Sequence, residues 1–161
     1  ESEYATYQLA LSHFMRKKSP DRDPTDTREA LKWFEVFVEK FPSSELVPQA
    51  DENMSICKDI LAKREIYIGE FYSRRDNYKA AANRYSAVVI NFSDTNQYEK
   101  ALYLLGISYV KEKQYELARQ TLQRLVQIFP DKRYHNKANS LLREIEGKQD
   151  LQPEEIQPES S

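Results

Sequence analysis

The sequence predicts an all-α fold, an α-solenoid of stacked antiparallel helix pairs with one long shared helix and a C-terminal capping helix. Composition is the first observation behind this prediction. The 161 residues include 3 Gly and 7 Pro, too few for an architecture rich in tight turns. The second observation is apolar spacing of three, four and seven residues, which indicates amphipathic helices. The third is an internal repeat, which is typical of stacked helical arrays.

The internal repeat relates two segments at an offset of 37 residues. Small residues match in both copies, Gly69 with Gly106 and Ala81 with Ala118. Larger residues continue the match: Tyr72 and Tyr109, Tyr78 and Tyr115, Tyr85 and Leu122, Val88 and Leu125, and Phe92 and Phe129. This order of small, aromatic and large apolar positions resembles the tetratricopeptide (TPR) repeat, a helix pair of about 34 residues.

The small residues of the repeat predict where paired helices cross. Gly69 and Gly106 fall on the first helix of each copy. Two backbones approach closely only where the side chains between them are small. Large residues such as Tyr85 and Leu122 are therefore expected to fill the space beside each glycine.

An earlier copy of the repeat is split by an insertion. Its first half, residues 7–14, matches residues 103–110 at an offset of 96, whereas its second half, from Ala30, matches at an offset of 88. The difference of 8 residues falls near residues 18–25. Pro24 in this stretch suits the first position of a new helix and cannot continue the preceding one.

One long helix is predicted from about Val47 to Arg75. Pro48 suits its start, and an apolar stripe runs along it: Ala50, Met54, Cys57, Leu61, Ile68 and Tyr72. At about 1.5 Å per residue such a helix extends roughly 42 Å. It is long enough to pack on both the first and the second copy.

A further helix with an apolar face is predicted after the last copy, where it would cap the stack. The chain beyond it carries four acidic residues, two prolines and no basic residue after Lys148, which is typical of a flexible tail. The predicted organisation is a TPR array over residues 1–147, with repeats at about 3–44, 62–95 and 99–132 and a capping helix at 134–147, followed by a flexible acidic tail at 148–161.

Composition and motifs argue against several functional classes. The 24 basic and 26 acidic residues give a net charge of −2, which disfavours a general nucleic-acid binder. A single cysteine, Cys57, excludes an internal disulfide framework and a thiolate zinc cluster, and it is expected to be a buried structural thiol. The two histidines, His13 and His135, lack a second metal ligand at motif spacing. We therefore predict a protein without catalytic residues, metal or cofactor.

The ends of the chain carry two further expectations. No apolar run reaches the roughly 18 residues that span a bilayer, and residues 1–20 lack the layout of a secretory signal. The chain begins at Glu1 without an initiator methionine and enters a helical pattern at once. We interpret it as a fragment of a larger protein.

A partner-binding groove is predicted on the first helices of the repeats. Ile66, Glu70, Tyr103, Ile107 and Lys111 fall where TPR repeats commonly contact ligands. An apolar patch rimmed by basic groups suits a peptide with aromatic side chains and a carboxylate. The alternative is that neighbouring helices cover this surface.

A basic cluster, Arg74, Arg75 and Arg84, is the second candidate for partner binding. Cations at a helix C-terminus can simply complement the helix dipole, and this explanation covers the first two arginines. Arg84 stands within a helix, among small apolar residues, and is expected to point away from the core-facing Tyr85. An acidic partner surface is the functional interpretation, and a solvated helix face is the alternative.

Three passages, residues 21–25, 61–72 and 78–85, carry a more specific resemblance. They resemble the BamD family of outer-membrane β-barrel assembly lipoproteins, also called YfiO or ComL, over about Tyr4 to Ile145. The Asp-Pro-Thr insertion, the long helix and the Ala-Asn-Arg helix contribute what the general TPR pattern does not. The resemblance corresponds to the last three of the five repeats of the family.

The resemblance implies a function and a location. It implies a scaffold subunit of the outer-membrane β-barrel assembly machinery, at the periplasmic face of the cell outer membrane. The implied partners are the periplasmic domains of a BamA-like barrel subunit, accessory lipoproteins and segments of unfolded outer-membrane proteins. Arg74, Arg75 and Arg84 are the candidates for contact with the barrel subunit. Family members are held by an acylated cysteine, a role that mid-helix Cys57 cannot take. The alternative is a TPR adaptor of another envelope or cytosolic assembly.

Overall fold

A computed structural model describes residues 2–151 of the chain, and every regular element within that stretch is a helix. The elements are α1 (Glu3–Met15), α2 (Thr25–Lys40), α3 (Val47–Ser73), α4 (Tyr78–Asn91), α5 (Tyr98–Lys111), α6 (Tyr115–Ile128) and α7 (His135–Glu144). The all-α prediction is confirmed.

The described residues form two compact units. Residues 2–67 and 92–97 make up the first unit, and residues 68–91 and 98–151 make up the second. In the first unit α1 packs on α2. In the second, α4, α5 and α6 each pack on the next helix along the chain. Stacking of sequence-adjacent helices confirms the predicted TPR-type solenoid class.

Aromatic rings fill the core of the first unit. Phe34 of α2 is fully buried, and its ring lies 5.9 Å from the ring of Tyr7 and 5.9 Å from that of Phe14, both in edge-to-face geometry. Ala10 falls between those two α1 residues and is also fully buried. Ala10 and Phe34 therefore share one core.

The insertion between α1 and α2 is fastened to α3. The guanidinium of Arg64 donates hydrogen bonds to the carbonyl oxygens of Pro20, at 3.3 Å, and Arg22, at 2.8 Å. The carboxylate of Asp23 accepts from the backbone N–H of Thr25 at 2.9 Å and from its hydroxyl at 2.6 Å. Two passages that carry the family resemblance thus meet in one place.

The long helix α3 begins at the predicted residue and ends two residues earlier than predicted. Its residues Ala50 and Cys57 are fully buried in the core of the first unit. Burial raises the pKa of the Cys57 thiol to about 11. The thiol is therefore protonated at neutral pH, which confirms the interpretation of Cys57 as a structural residue.

Glycine marks two helix crossings in the second unit, as predicted. A Cβ atom added to Gly69 would meet the ring of Tyr85, with Cδ1 at 2.8 Å. A Cβ added to Gly106 would lie 2.5 Å from Cδ2 and 2.7 Å from Cγ of Leu122. Both large residues are almost completely buried. The helices are close enough at these points that no side chain fits.

The chain beyond α7 lies against the first turns of α6. Arg119 donates a hydrogen bond to the carbonyl of Ile145 at 3.2 Å and another to the carbonyl of Lys148. The backbone N–H of Glu116 donates to the carboxylate of Asp150 at 3.1 Å. The greater part of the predicted tail, residues 152–161, lies outside the described residues.

Candidate protein-interaction surface

Two turns of the second unit share one geometry. In the turn between α3 and α4, Asp76 has a φ of 59°, and the N–H of Asn77 donates to the carbonyl of Tyr72 at 3.0 Å. In the turn between α5 and α6, Lys113 has a φ of 57°, and the N–H of Gln114 makes the equivalent 2.9 Å bond. A left-handed residue after each helix closes its last turn and satisfies its free carbonyl groups.

These turns carry a surface that we call the basic tip. It consists of five exposed basic residues: Arg74, Arg75, Lys79, Lys111 and Lys113. Two acidic residues, Asp76 and Glu112, lie among them in the same turns. The surplus of positive charge favours an acidic partner. The residues at the ends of α3 and α5 also complement the helix dipoles.

Aromatic faces hold two of these basic groups. The guanidinium of Arg75 lies 3.6 Å from the centre of the Phe71 ring and donates a 3.0 Å hydrogen bond to the Phe71 carbonyl. The ammonium of Lys111 lies 6.0 Å from the centre of the Tyr78 ring. The Phe71 side chain is 41% exposed. The basic tip therefore offers a cation and an apolar ring side by side, a combination that suits acidic peptides with apolar side chains.

A hollow of about 230 Å³ opens beside the basic tip, and we call it the tip pocket. It is lined by Lys79, Ala82, Asn83, Tyr109, Glu112, Gln114 and Leu117. The Leu117 side chain is 42% exposed. An apolar floor with polar groups at its rim is the usual form of a site for one side chain of a peptide.

The predicted groove around Tyr103 is partly covered by its neighbour. The rings of Tyr103 and Tyr134 stack with their centres 4.9 Å apart, and burial raises the pKa of Tyr103. A shallow hollow of about 440 Å³ remains beside Tyr103 along α7. The ammonium of Lys137 lies on this side, 5.7 Å from the centre of the Tyr134 ring. A neighbouring ring thus covers one side of Tyr103 and the other side stays open, while partner binding there stays a prediction.

Other sequence-predicted residues occupy different environments. Glu70 is half-buried and pairs with the ammonium of Lys100 at 3.3 Å. Ile107 is half-buried on α5, and Arg84 is half-buried on α4. Ile66 is only 4% exposed. Its side chain packs in the core instead of lining a groove, which corrects the interpretation of Ile66 as a partner-binding residue.

The sequence did not predict three residues of this surface: Phe71, whose ring lies beside the basic tip, and Lys79 and Lys113 of the basic tip itself. A signal for the first was present, because Phe71 stands four residues before Arg75 and such residues meet on one helix face. The two lysines carry no comparable signal. Their place in the basic tip follows from the approach of two turns that are more than thirty residues apart in sequence.

Two titratable side chains of the first unit, His13 and Asp26, take part in structural hydrogen bonds. In the first unit, Asp26 accepts a hydrogen bond from His13 at 2.9 Å and another from Arg16 at 3.3 Å. These bonds lower the pKa of Asp26. Over residues 2–151, no three His, Cys, Asp or Glu residues cluster as a metal site would require. No helix among the described residues has the length and apolarity to cross a bilayer.

Paired helices and close crossings at glycine define a TPR-type helical-repeat domain. A family model described as YfiO, outer membrane lipoprotein, matches residues 1–120. The chain belongs to this family, and the resemblance seen in the sequence is confirmed.

Several relatives are described as outer membrane protein assembly factor BamD. That of Neisseria gonorrhoeae is 34% identical over 138 residues, which cover 80% of this chain and 52% of the relative. That of Rickettsia prowazekii (strain Madrid E) is 29% identical over 140 residues, covering 87% of this chain and 56% of the relative. That of Caulobacter vibrioides is 28% identical over 141 residues, covering 88% and 46%. The chain thus spans about half the length of the curated relatives it matches.

Proposed function

We propose that this chain is a scaffold domain in the assembly of outer-membrane proteins and works by binding, without catalysis. The basic tip carries the proposal, because it presents five exposed cations, an exposed ring and a pocket on adjacent turns. Membership in the YfiO family supports a role in the assembly of outer-membrane proteins. The relatives described as assembly factors support the same role. Rigid helix pairs suit a scaffold, since a preformed surface loses little entropy when it binds.

The proposed principal partner is the periplasmic part of a BamA-like barrel subunit. An acidic patch on that partner would face the basic tip, and an apolar side chain would enter the tip pocket. Accessory lipoproteins and segments of unfolded outer-membrane proteins are further proposed partners. The hollow beside Tyr103, with its stacked rings and Lys137, suits an extended segment with aromatic side chains and a carboxylate.

The proposed location is the periplasmic face of the outer membrane. The family description, outer membrane lipoprotein, supports association with that membrane. In this proposal the partners meet the basic tip in the periplasm, where the barrel subunit exposes its soluble domains.

Calorimetry with the soluble periplasmic part of the barrel subunit tests the proposal. The double variant Arg74→Glu with Lys113→Glu reverses two exposed charges of the basic tip. We expect affinity to fall about tenfold, and the loss to shrink at high salt, because exposed charges act mainly through long-range attraction. Arg84→Glu, assayed separately, tests the residue that the resemblance selects.

The matched control is Arg124→Glu with Lys132→Glu, which makes the same charge change at exposed positions near the other end of α6. Thermal unfolding of each variant monitors folding. Equal affinity for the basic-tip variant and the control would remove the basic tip from the interface. No binding by the unmodified chain would overturn the proposed partner and favour an adaptor of a different assembly.

A further inference from the structure

A second hollow, of about 200 Å³, opens between α4 and α6, and we call it the α4–α6 hollow. Both helices pack on α5, and the buried Leu102 and Leu105 of α5 form its floor. One wall ends at Ile90 of α4 and the other at Arg124 of α6. The three helices therefore enclose an apolar space that opens to solvent.

The α4–α6 hollow is the neighbour of the tip pocket along one groove. Val89 and Ile90 line the hollow, and Ala82 and Asn83, seven residues earlier on α4, line the tip pocket. Seven residues of helix correspond to about 10 Å. Tyr109 borders both. No residue of the basic tip is among the described residues that line the hollow, so the two surfaces can bind different molecules.

The apolar surface of the hollow extends outward at Ile90, whose side chain is 76% exposed. Single exposed apolar side chains are common on proteins, but Ile90 stands beside a hollow whose floor is made of buried leucines. A large apolar side chain of a partner can therefore contact the floor and Ile90 together, and the contact removes both from water.

The charge around the hollow is positive. Arg124 is the single charged side chain among its lining residues, it is exposed, and no carboxylate in the described part of the chain pairs with it. Helix α4 contains no acidic residue. The one acid of α6, Glu116, lies in its first turn and pairs with Arg119 at 3.4 Å. A carboxylate of a partner would therefore meet an unpaired cation and little opposing charge.

The walls of the hollow determine which kind of partner element fits. Helix backbones bond internally, so α4 and α6 offer an extended strand none of the main-chain pairing that a sheet edge provides. A partner helix satisfies its own backbone and presents side chains one turn apart on one face. An apolar residue and an acidic residue spaced in this way reach the hollow and Arg124 at the same time.

We propose that the α4–α6 hollow is a second docking site, for an acidic amphipathic helix of a partner protein. One large apolar side chain of that helix lies in the hollow against Ile90, and a carboxylate one turn away pairs with Arg124. This site adds to the basic tip and lies apart from it. Only the simultaneous binding of such a helix and the barrel subunit rests on the proposed function.

A synthetic acidic peptide, added to the ¹⁵N-labelled 161-residue chain, tests the site. The peptide has about 16 residues on an alanine background, because shorter isolated helices are marginal in water. Leucines spaced three and four residues apart form one face, and glutamates flank that face. We expect amide shifts in the nuclear magnetic resonance spectrum that grow with peptide concentration and centre on Ser86, Ile90 and Thr121.

Two matched peptides assign the chemistry of the contact. One keeps the composition but scatters the leucines around the helix, and the other replaces every glutamate by lysine. Each should bind about tenfold more weakly, because the first lacks a continuous apolar face and the second brings a like charge to Arg124. Equal binding by either peptide would overturn the proposal.

Variants of the chain locate the contact. Ile90→Gln and, separately, Arg124→Glu should each weaken binding of the acidic peptide about tenfold. The matched controls are Met15→Gln, at a residue of α1 that is 73% exposed, and Lys132→Glu, at an exposed position beyond α6. Both controls should bind the peptide as the unmodified chain does. Spectra of each variant show whether the helices remain folded.

Other results would replace or overturn docking of a partner helix. Signals of the hollow that shift when the chain is diluted without peptide would replace the partner with a second copy. Undetectable binding of the acidic peptide, or shifts centred on Lys79 or Tyr103, would overturn the site. The barrel subunit takes no part in these measurements, so their failure leaves the proposed function untouched.

Calorimetry of the barrel subunit with the chain saturated by the acidic peptide tests simultaneous binding. Unchanged affinity for the barrel subunit supports it. Displacement of the peptide would refute simultaneous binding and leave the docking site in place.

Discussion

The same helix crossing is built differently in the two units of the molecule. In the first unit, Ala10 and Phe34 belong to one core cluster, and both are fully buried. In the second, Gly106 lies beneath Leu122, at the positions that the repeat aligns with those two residues. The crossing of Gly69 and Tyr85 in the second unit pairs a glycine with a large ring.

This difference shows that the size of the small residue matches the size of its large neighbour. The core of the first unit accommodates the methyl group of Ala10 together with the Phe34 ring, whose centre lies 5.9 Å from the centres of two other rings. No methyl group fits under Leu122 or Tyr85, because their atoms come within about 3 Å of where it would be. Packing of this density leaves little room for adjustment.

Removal of the ring from the first unit has the largest expected effect. Phe34→Ala should lower the free energy of unfolding by about 3–5 kcal/mol, because it removes a fully buried side chain and leaves a cavity. Urea unfolding measures the loss. Phe34→Leu, which gives the first unit the residue found in the second, serves as the control and should cost less. Equal losses in the two variants would contradict the pairing of ring and alanine.

A methyl group added at a glycine of the second unit should lower the free energy of unfolding by less than Phe34→Ala does. Gly69→Ala is expected to destabilise by about 1–3 kcal/mol, because its Cβ would overlap the stiff Tyr85 ring, and the better helix propensity of alanine recovers only part of that. Gly106→Ala should cost less than Gly69→Ala, since leucine can change rotamer. Thermal unfolding compares the two. A stabilised Gly69→Ala protein would show that the helices can separate freely there.

The converse substitution in the first unit, from alanine to glycine, should have a smaller effect on stability. Ala10→Gly is expected to cost about 1–2 kcal/mol, from the lost methyl burial and the poorer helix propensity of glycine. Urea unfolding of this variant, beside Ser12→Gly on the exposed side of α1, separates the two causes. If both variants lose the same stability, the buried methyl contributes nothing to the crossing.

The smallest expected effect is a loss of stability at high pH. It comes from the ionisable Tyr85 and has no counterpart at Leu122. Burial, with a nearby Glu70 carboxylate, raises the pKa of Tyr85 from 10.0 to about 12. A raised pKa gives stability that is present below pH 10 and is lost as the pH rises through the folded value, because only the unfolded chain gives up the proton in that interval. At pH 11 the expected loss is about 1 kcal/mol. Tyr85→Phe should lack this component, and identical pH profiles from urea unfolding would contradict it.

Much of the fold was predictable because helix signals are local. Apolar spacing predicted α3 from its first residue, and the matched glycines predicted both crossings in the second unit. The predicted capping helix was longer than α7, since the periodic pattern continues past Glu144 although the helix does not. The proposed repeat boundaries stay a prediction.

Less of the candidate site was predictable. Arg74 and Arg75 were selected because adjacent bases at a helix end stand out in sequence. Ile66 was misplaced, because periodicity does not say which apolar positions a neighbouring helix will cover. Lys79 and Lys113 became part of a site only when two turns came together.

The sequence by itself determined the helices, their crossing points and the family, because each depends on residue types at fixed short spacings. Tertiary structure alone decided the basic tip, the tip pocket and the burial of Ile66. These features depend on distances between turns and helices that are remote in sequence, and such distances are set by how the large and small side chains of each unit pack together.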